Sequence, residues 1–219
     1  MKLYCCIKGK KVNNISFLGC KPEYIYNGYR IIPISKDPTK REIIQAEDVT
    51  EDFSKCIGNG QSGTAFYMGE DLIVKKYDYY AHPAREIKTL NSMYDNSILS
   101  KGLQAGVFAF KTPRGTWYLV SKKIQGESIR NVNLNPDNLS CLLDVFLEFD
   151  KPKPNKRGEY GMYINRDIHE ENILATDNSA GLIDYEYVDF VTLEKSKEAY
   201  NERMFPLRTS DIPGCVSNL

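Results

Sequence analysis

The chain has 219 residues, 42% of them hydrophobic and 26% charged, a balance that suits one compact domain or a small two-lobed one and argues against wholesale disorder. Lysine plus arginine equals aspartate plus glutamate at 29 each, so no global field favours nucleic acid or a membrane surface. No run of about 18 apolar residues is present to span a membrane, and Met1-Lys2-Leu3-Tyr4-Cys5-Cys6 lacks the apolar core and cleavage site of a secretory signal peptide.

Residues 1 to about 50 read as an N-terminal extension. Within it, Asn27-Gly28 between aromatic and β-branched residues predicts a hairpin over 24–32, followed by a loop at Ser35-Lys36-Asp37-Pro38-Thr39-Lys40. From Phe53 to Tyr77 two β-like runs flank a glycine cluster. Pro83 suits a first helical position, and Ile87, Leu90 and Met93 give the following segment a helical rhythm. Gly106–Lys111 and Thr116–Lys123 read as strands joined by a turn at Pro113-Arg114-Gly115. Asn138–Phe149 is the clearest helix, with Asn138 as its cap and Leu139, Leu142, Leu143, Phe146 and Leu147 on one face. Strands first and helices later predict an α+β chain with a sheet-rich front half. The six cysteines (Cys5, Cys6, Cys20, Cys56, Cys141 and Cys215) form no C-x-x-C pair and read as reduced thiols in a cytosol.

Gly58-Asn59-Gly60-Gln61-Ser62-Gly63 is a G-x-G-x-x-G. A dinucleotide-binding loop would pass straight into a helix, whereas Thr64-Ala65-Phe66-Tyr67 reads as a strand. The segment therefore fits either a glycine-rich hairpin or a lid that lays backbone N–H groups over nucleotide phosphates. Twelve residues past Gly63, Lys75 ends an apolar run. It suits a snorkelling surface cation or, behind a lid, a point charge for phosphate oxygens. Glu86 on the following helix is the candidate anion to orient it. In Asn165-Arg166-Asp167-Ile168-His169-Glu170-Glu171-Asn172, an aspartate precedes an asparagine by five residues and an apolar strand follows. Such a pattern can set a carboxylate beside an attacking hydroxyl and an amide oxygen on a metal ion. Asp184 closes the apolar run Gly181-Leu182-Ile183. An aspartate there is costly unless paired or on a metal, and Asn172 with Asp184 would suit Mg²⁺.

This order of features resembles the protein kinase superfamily over roughly Phe53–Tyr187. The resemblance implies a minimal two-lobed fold of class α+β over 51–219, with a β-rich N-lobe over about 51–123 and a truncated helical C-lobe over about 124–219. It implies ATP and Mg²⁺ as cofactors. Gly58, Gly60 and Gly63 become the phosphate lid, Lys75 the phosphate-binding lysine and Glu86 its partner. Ser121 and Lys123, in Tyr118–Gly126, line the adenine pocket. Asp167 becomes the base or positioner of the acceptor hydroxyl, Arg166 a brace for its loop, and Asn172 and Asp184 the metal ligands. Two departures stand out: Asn165 where the family has histidine, and Glu186 where it has glycine. Only 35 residues follow Asp184, with no A-P-E motif.

That truncation resembles the minimal bacterial type III effector kinases of the OspG–NleH and HopBF groups. What it implies is a monomeric serine/threonine-protein kinase secreted into the host cytoplasm, with a translocation signal in residues 1–50. The first group implies activation by a ubiquitin-loaded conjugating enzyme, the second a heat-shock chaperone as substrate. Two rivals stay open. Leu182–Tyr187 is also similar to the metal-binding strand of choline and aminoglycoside kinases, which are small-molecule phosphotransferases. The other rival is a pseudokinase acting as a binding module. The basic loop Lys151–Gly158 reads as a solvated surface or as a docking site for an acidic partner.

Overall fold

The structure is a computed structural model. It describes residues 23–79, 83–95, 103–155 and 158–193, together with the backbone of 6–7 and 10–12; the side chains at 94 and 95 lie outside the description. The chain is α+β and divides into two compact units, one over residues 1–97 and 105–123 and the other over 98–104 and 124–219.

Among the described residues the first unit is a nine-stranded antiparallel sheet with two helices. In chain order its elements are β1 (Cys6–Ile7), β2 (Lys10–Val12), β3 (Tyr24–Tyr26), β4 (Tyr29–Pro33), α1 (Lys40–Val49), β5 (Cys56–Asn59), β6 (Gly63–Tyr67), β7 (Leu72–Tyr77), α2 (Ala84–Asp95), β8 (Gly106–Lys111) and β9 (Trp117–Lys122). The spatial order is β1-β2-β3-β4-β8-β9-β7-β6-β5. The β3–β4 hairpin turns at Asn27 and Gly28, with φ of 48° and 82°; asparagine and glycine are the residues that take this left-handed pair at least cost.

Residues 24–33 supply two strands of this sheet, and α1 packs on its core. β4 pairs with β8 from Arg30↔Lys111 to Pro33↔Phe108, and α1 begins at Lys40, the last residue of the loop expected from sequence. Its start is fixed by a capping box: the Glu42 amide donates to Thr39 Oγ1 at 3.2 Å, and the Thr39 amide donates to the Glu42 carboxylate at 2.9 Å. Ile43, Ala46 and Val49 then pack on Tyr24, Ile31, Phe66, Val74, Phe108, Phe110, Tyr118 and Val120. Side chains alternate along β7, so burying Val74 in this core turns Lys75 to the opposite face. Helix α2 buries Ile87, Leu90 and Met93.

In the second unit β10 (Glu127–Ser128), β13 (Ile173–Ala175) and β14 (Ala180–Leu182) form one three-stranded sheet. A second joins β11 (Lys153–Pro154), β12 (Tyr160–Asn165) and β15 (Val188–Thr192). Helix α3 (Pro136–Asp150) begins three residues earlier than its sequence pattern suggests, capped by Asn135 with proline at its first position. Asn138 closes the capping box and is itself buried, its Nδ2 donating to Thr176 O at 2.8 Å and Ser179 O at 2.9 Å. Those bonds tie the start of α3 to the β13–β14 turn and set the rotation of the helix. The buried face is therefore Asn138, Leu142, Val145 and Phe149, while Leu139, Leu143 and Leu147 face outward. Val145→Ala should cost about 2 kcal/mol in urea unfolding. Leu143→Ala, at a position 57% exposed, should change stability by about 0.5 kcal/mol or less. Equal losses at the two sites would contradict this rotation.

Candidate active site

In the first unit the chemistry gathers on the face of β7 turned away from α1. Lys75 Nζ lies 3.1 Å from Glu86 Oε2, on the first turn of α2. Glu86 is 2% exposed, and a carboxylate so placed is tolerable only with donors around it. A second donor comes from Tyr77, two residues beyond Lys75 on the same strand face, whose hydroxyl bonds the same Oε2. The Tyr77 ring also lies under the lysine, 5.2 Å from Nζ to the ring centroid. Sequence reading missed Tyr77; the two-residue period of a strand carries the signal.

Gly58 lies in β5, Gly60 in the turn and Gly63 at the start of β6. Gly60 N donates to Gly63 O at 2.9 Å, and Thr64 Oγ1 donates to Asn59 Oδ1 across the hairpin at 2.9 Å. The three glycines have different physical reasons. A Cβ on Gly63 would meet Lys76 O at 2.2 Å and Tyr77 Cα at 2.8 Å, so the close approach of β6 to β7 requires glycine. A Cβ on Gly58 would meet open space, and one on Gly60 only Gly63 O at 3.8 Å. Gly63→Ala should therefore lower stability by about 1–3 kcal/mol, and Gly58→Ala should leave it within about 0.5 kcal/mol, both read by thermal unfolding. Ser121 is buried in β9 opposite Ile73. Lys123 bonds Asp71 O through its amide and sets its ammonium 4.6 Å from the Tyr67 ring centroid.

In the second unit β12 ends at Asn165, a loop carries Arg166 to His169, and a 3₁₀ turn at Glu170–Asn172 leads into β13. The Asp167 amide donates to Asn165 Oδ1 at 2.8 Å. Asn172 Nδ2 donates to Asp167 O at 3.0 Å and to its Oδ2 at 3.2 Å, which turns the amide oxygen of Asn172 away from that carboxylate. Ile183 N donates to Asn172 O at 2.9 Å, and Ile173 pairs with Leu182. Asp167 and Asn172 are thus bonded to each other, and Asp184 follows Ile183, whose amide bonds Asn172 O, at the open end of the β13–β14 hairpin. The Asp167 side chain keeps 37% of its surface exposed. His169, unassigned from sequence, brings Nε2 to 3.8 Å from Asp167 Oδ2 and accepts the Glu171 amide on Nδ1.

Two costs mark this segment. Asp184 holds a left-handed backbone at φ 60°, a conformation that costs a non-glycine residue on the order of 1 kcal/mol or more. Its Oδ1 accepts the Glu186 amide at 3.2 Å. Asn165 is 2% exposed and its Nδ2 is buried without a partner, a penalty of about 1–3 kcal/mol. Tyr185, fully buried, pins the segment by donating to Leu182 O at 2.6 Å and accepting from Gln104 N at 2.7 Å. Arg166 braces the loop against β15: its amide donates to Tyr187 O at 3.1 Å, and Nε approaches Asp189 Oδ2 at 3.3 Å.

An amide oxygen and a carboxylate form a hard donor set that fits Mg²⁺, an ion usually held by one or two such protein ligands plus phosphate oxygens. In the basic loop Lys151 and Lys153 both reach Glu148, at 2.6 and 2.5 Å, and hold its carboxyl below the ordinary glutamate range. Lys156 and Arg157 lie outside the described residues.

No protein-family model matches the chain, and no curated protein matches it. Solved structures do. The aminoglycoside phosphotransferase APH(4)-Ia aligns over 70% of this chain and 73% of that one, at 12% identity and a TM-score of 0.49. The Legionella pneumophila kinase Lpg2603, bound to IP6, aligns over 87% and 74%, at 16% identity and 0.46. The Cydia pomonella granulovirus kinase PK-1 aligns over 68% and 58%, at 11% identity and 0.42. At these values the likenesses bear on neither activity nor substrate.

Proposed function

We propose that the protein is an ATP-dependent phosphotransferase, and specifically a protein kinase acting on serine or threonine hydroxyls. The observation that carries this reading is the bonded pair Asp167–Asn172, with left-handed Asp184 one residue past Ile183, whose amide bonds Asn172 O. An exposed carboxylate bonded to an amide side chain, with a strained aspartate close by in the chain, supports the reading. In the transfer, the acceptor oxygen forms a bond to the γ-phosphorus of ATP while the bond from that phosphorus to the β–γ bridging oxygen breaks, ADP departs, and the hydroxyl proton passes to Asp167. Lys75, held by Glu86, offers a positive charge to phosphate oxygens. Gly58 and Gly60, which no packing requires, let backbone amides approach phosphate. Asn172 and Asp184 would hold Mg²⁺, which when bound neutralises phosphate charge. Positioning and electrostatics supply the acceleration. A host protein acceptor, met in the host cytoplasm after secretion, is carried by the sequence resemblance alone, as is a conjugating enzyme or chaperone partner.

A second reading has one observation in its favour. Asp184-Tyr185 continues into Glu186 and not glycine, as in small-molecule phosphotransferases. Purified protein with γ-labelled ATP and Mg²⁺ in a eukaryotic extract separates the two. Label in protein bands, absent with Lys75→Ala, is the expected result. ATP consumed only when choline or an aminoglycoside is added would replace it with the second reading.

A further inference from the structure

Tyr77 touches both members of the buried ion pair, and neither contact follows from the motif that singles out Lys75. Its hydroxyl donates to the Glu86 oxygen that Lys75 also reaches, and its ring lies under the lysine ammonium. Tyr77 is 4% exposed and is the last residue of β7, paired with Gly63 on β6. The strand holds it rigidly, whereas Glu86 stands on the first turn of a helix. A glutamate tied only to a flexible lysine keeps several rotamers, because the ammonium can follow it. A glutamate also bonded to a phenol fixed in a β-strand keeps one. Gly63 contributes indirectly: its lack of a side chain lets β6 pack against the Tyr77 backbone, where a Cβ would fall 2.8 Å from Tyr77 Cα.

We propose that Tyr77 is a positioning residue that clamps Glu86, so that Lys75 is already set for nucleotide phosphate before any partner binds. The clamp deepens the kinase reading and, in its consequence for ATP, rests on it. Tyr77→Phe keeps the ring under Lys75 and removes only the hydroxyl. Its expected effect is a Kd for Mg·ATP raised about tenfold, the size of one lost hydrogen bond to a charged group. Its effect on Kd should vanish in a Glu86→Ala background, which deletes the acceptor, because the two changes act through one contact. A merely structural tyrosine would lower affinity equally in both backgrounds.

A readout independent of ATP is the acylation rate of Lys75 by an amine-selective reagent, followed by mass spectrometry on the full chain. Freed from its fixed partner, Lys75 should react several-fold faster in Tyr77→Phe than in wild type. Trimethylamine oxide keeps a destabilised variant folded for this measurement. If Tyr77→Phe still fails to fold, the wild-type clamp is read from the other end: tetranitromethane should nitrate Tyr77 only after Glu86→Ala. Unchanged Lys75 acylation in folded Tyr77→Phe, or nitration of Tyr77 in wild type, overturns the clamp. Faster acylation in a protein that binds no Mg·ATP upholds the clamp and overturns the kinase reading.

Discussion

Asp167→Ala should reduce phosphoryl transfer by about 10²–10⁴-fold, the range of a positioned proton acceptor, while leaving Mg·ATP affinity within about twofold, since uniform binding is untouched. The bonds around Asp167 make the experiment interpretable. Asn172 Nδ2 donates both to Asp167 O at 3.0 Å and to Oδ2 at 3.2 Å. Alanine deletes the second acceptor and keeps the first, so the asparagine amide stays oriented. The Asp167 amide still has Asn165 Oδ1, and Arg166 still bonds Tyr187 and Asp189. Asp167→Asn, which keeps the shape and loses the negative charge, should show the same loss of transfer. If either variant kept more than about a tenth of wild-type transfer, Asp167 would not be the proton acceptor, because removal of such a group costs at least about 10²-fold.

Local chemistry made part of this fold readable. Asn27-Gly28 demands a left-handed pair of residues, and Pro113-Arg114-Gly115 closes the β8–β9 hairpin with Gly115 at φ 97°. Both signals act within a few residues. The pairing of β4 with β8 does not: it joins segments about eighty residues apart, and no pattern near Arg30 names Lys111 as its neighbour. The segment before β5 therefore read as an extension although it supplies part of the sheet. The start of α1 was legible in principle, since Thr39-Lys40-Arg41-Glu42 ahead of Ile43 is a capping-box signature, but the Asp-Pro pair just before it reads more strongly as loop. In α3 the leucines outvoted the true face. Periodicity counts apolar residues, whereas the rotation was decided by a buried asparagine bonded to the β13–β14 turn.

The candidate site divides the same way. The five-residue spacing from Asp167 to Asn172 is short enough for one loop to join them. Tyr77 and His169 carry no motif of their own, and only the fold shows what they touch.

The Lys75–Glu86 pair should be costly to break and cheap to replace. Lys75→Met leaves the Glu86 carboxylate, 3% exposed, with only Tyr77 and its remaining neighbours as donors, and should lower stability by about 3 kcal/mol. Glu86→Gln should cost less. The lysine side chain is 15% exposed, so its ammonium can slide along the stem towards water, and the glutamine oxygen still accepts from Tyr77. The double variant Lys75→Met/Glu86→Leu removes both charges and fills the space with apolar atoms. It should recover most of the loss in urea unfolding, because burying two charges offsets much of their mutual attraction. It should also bind no Mg·ATP in equilibrium titration. The combination matters more than either result. An ion pair kept only for stability would leave the double variant as unstable as Lys75→Met. Recovered stability with lost nucleotide binding would mean that the charges are retained for the phosphate they meet and that the fold itself could do without them.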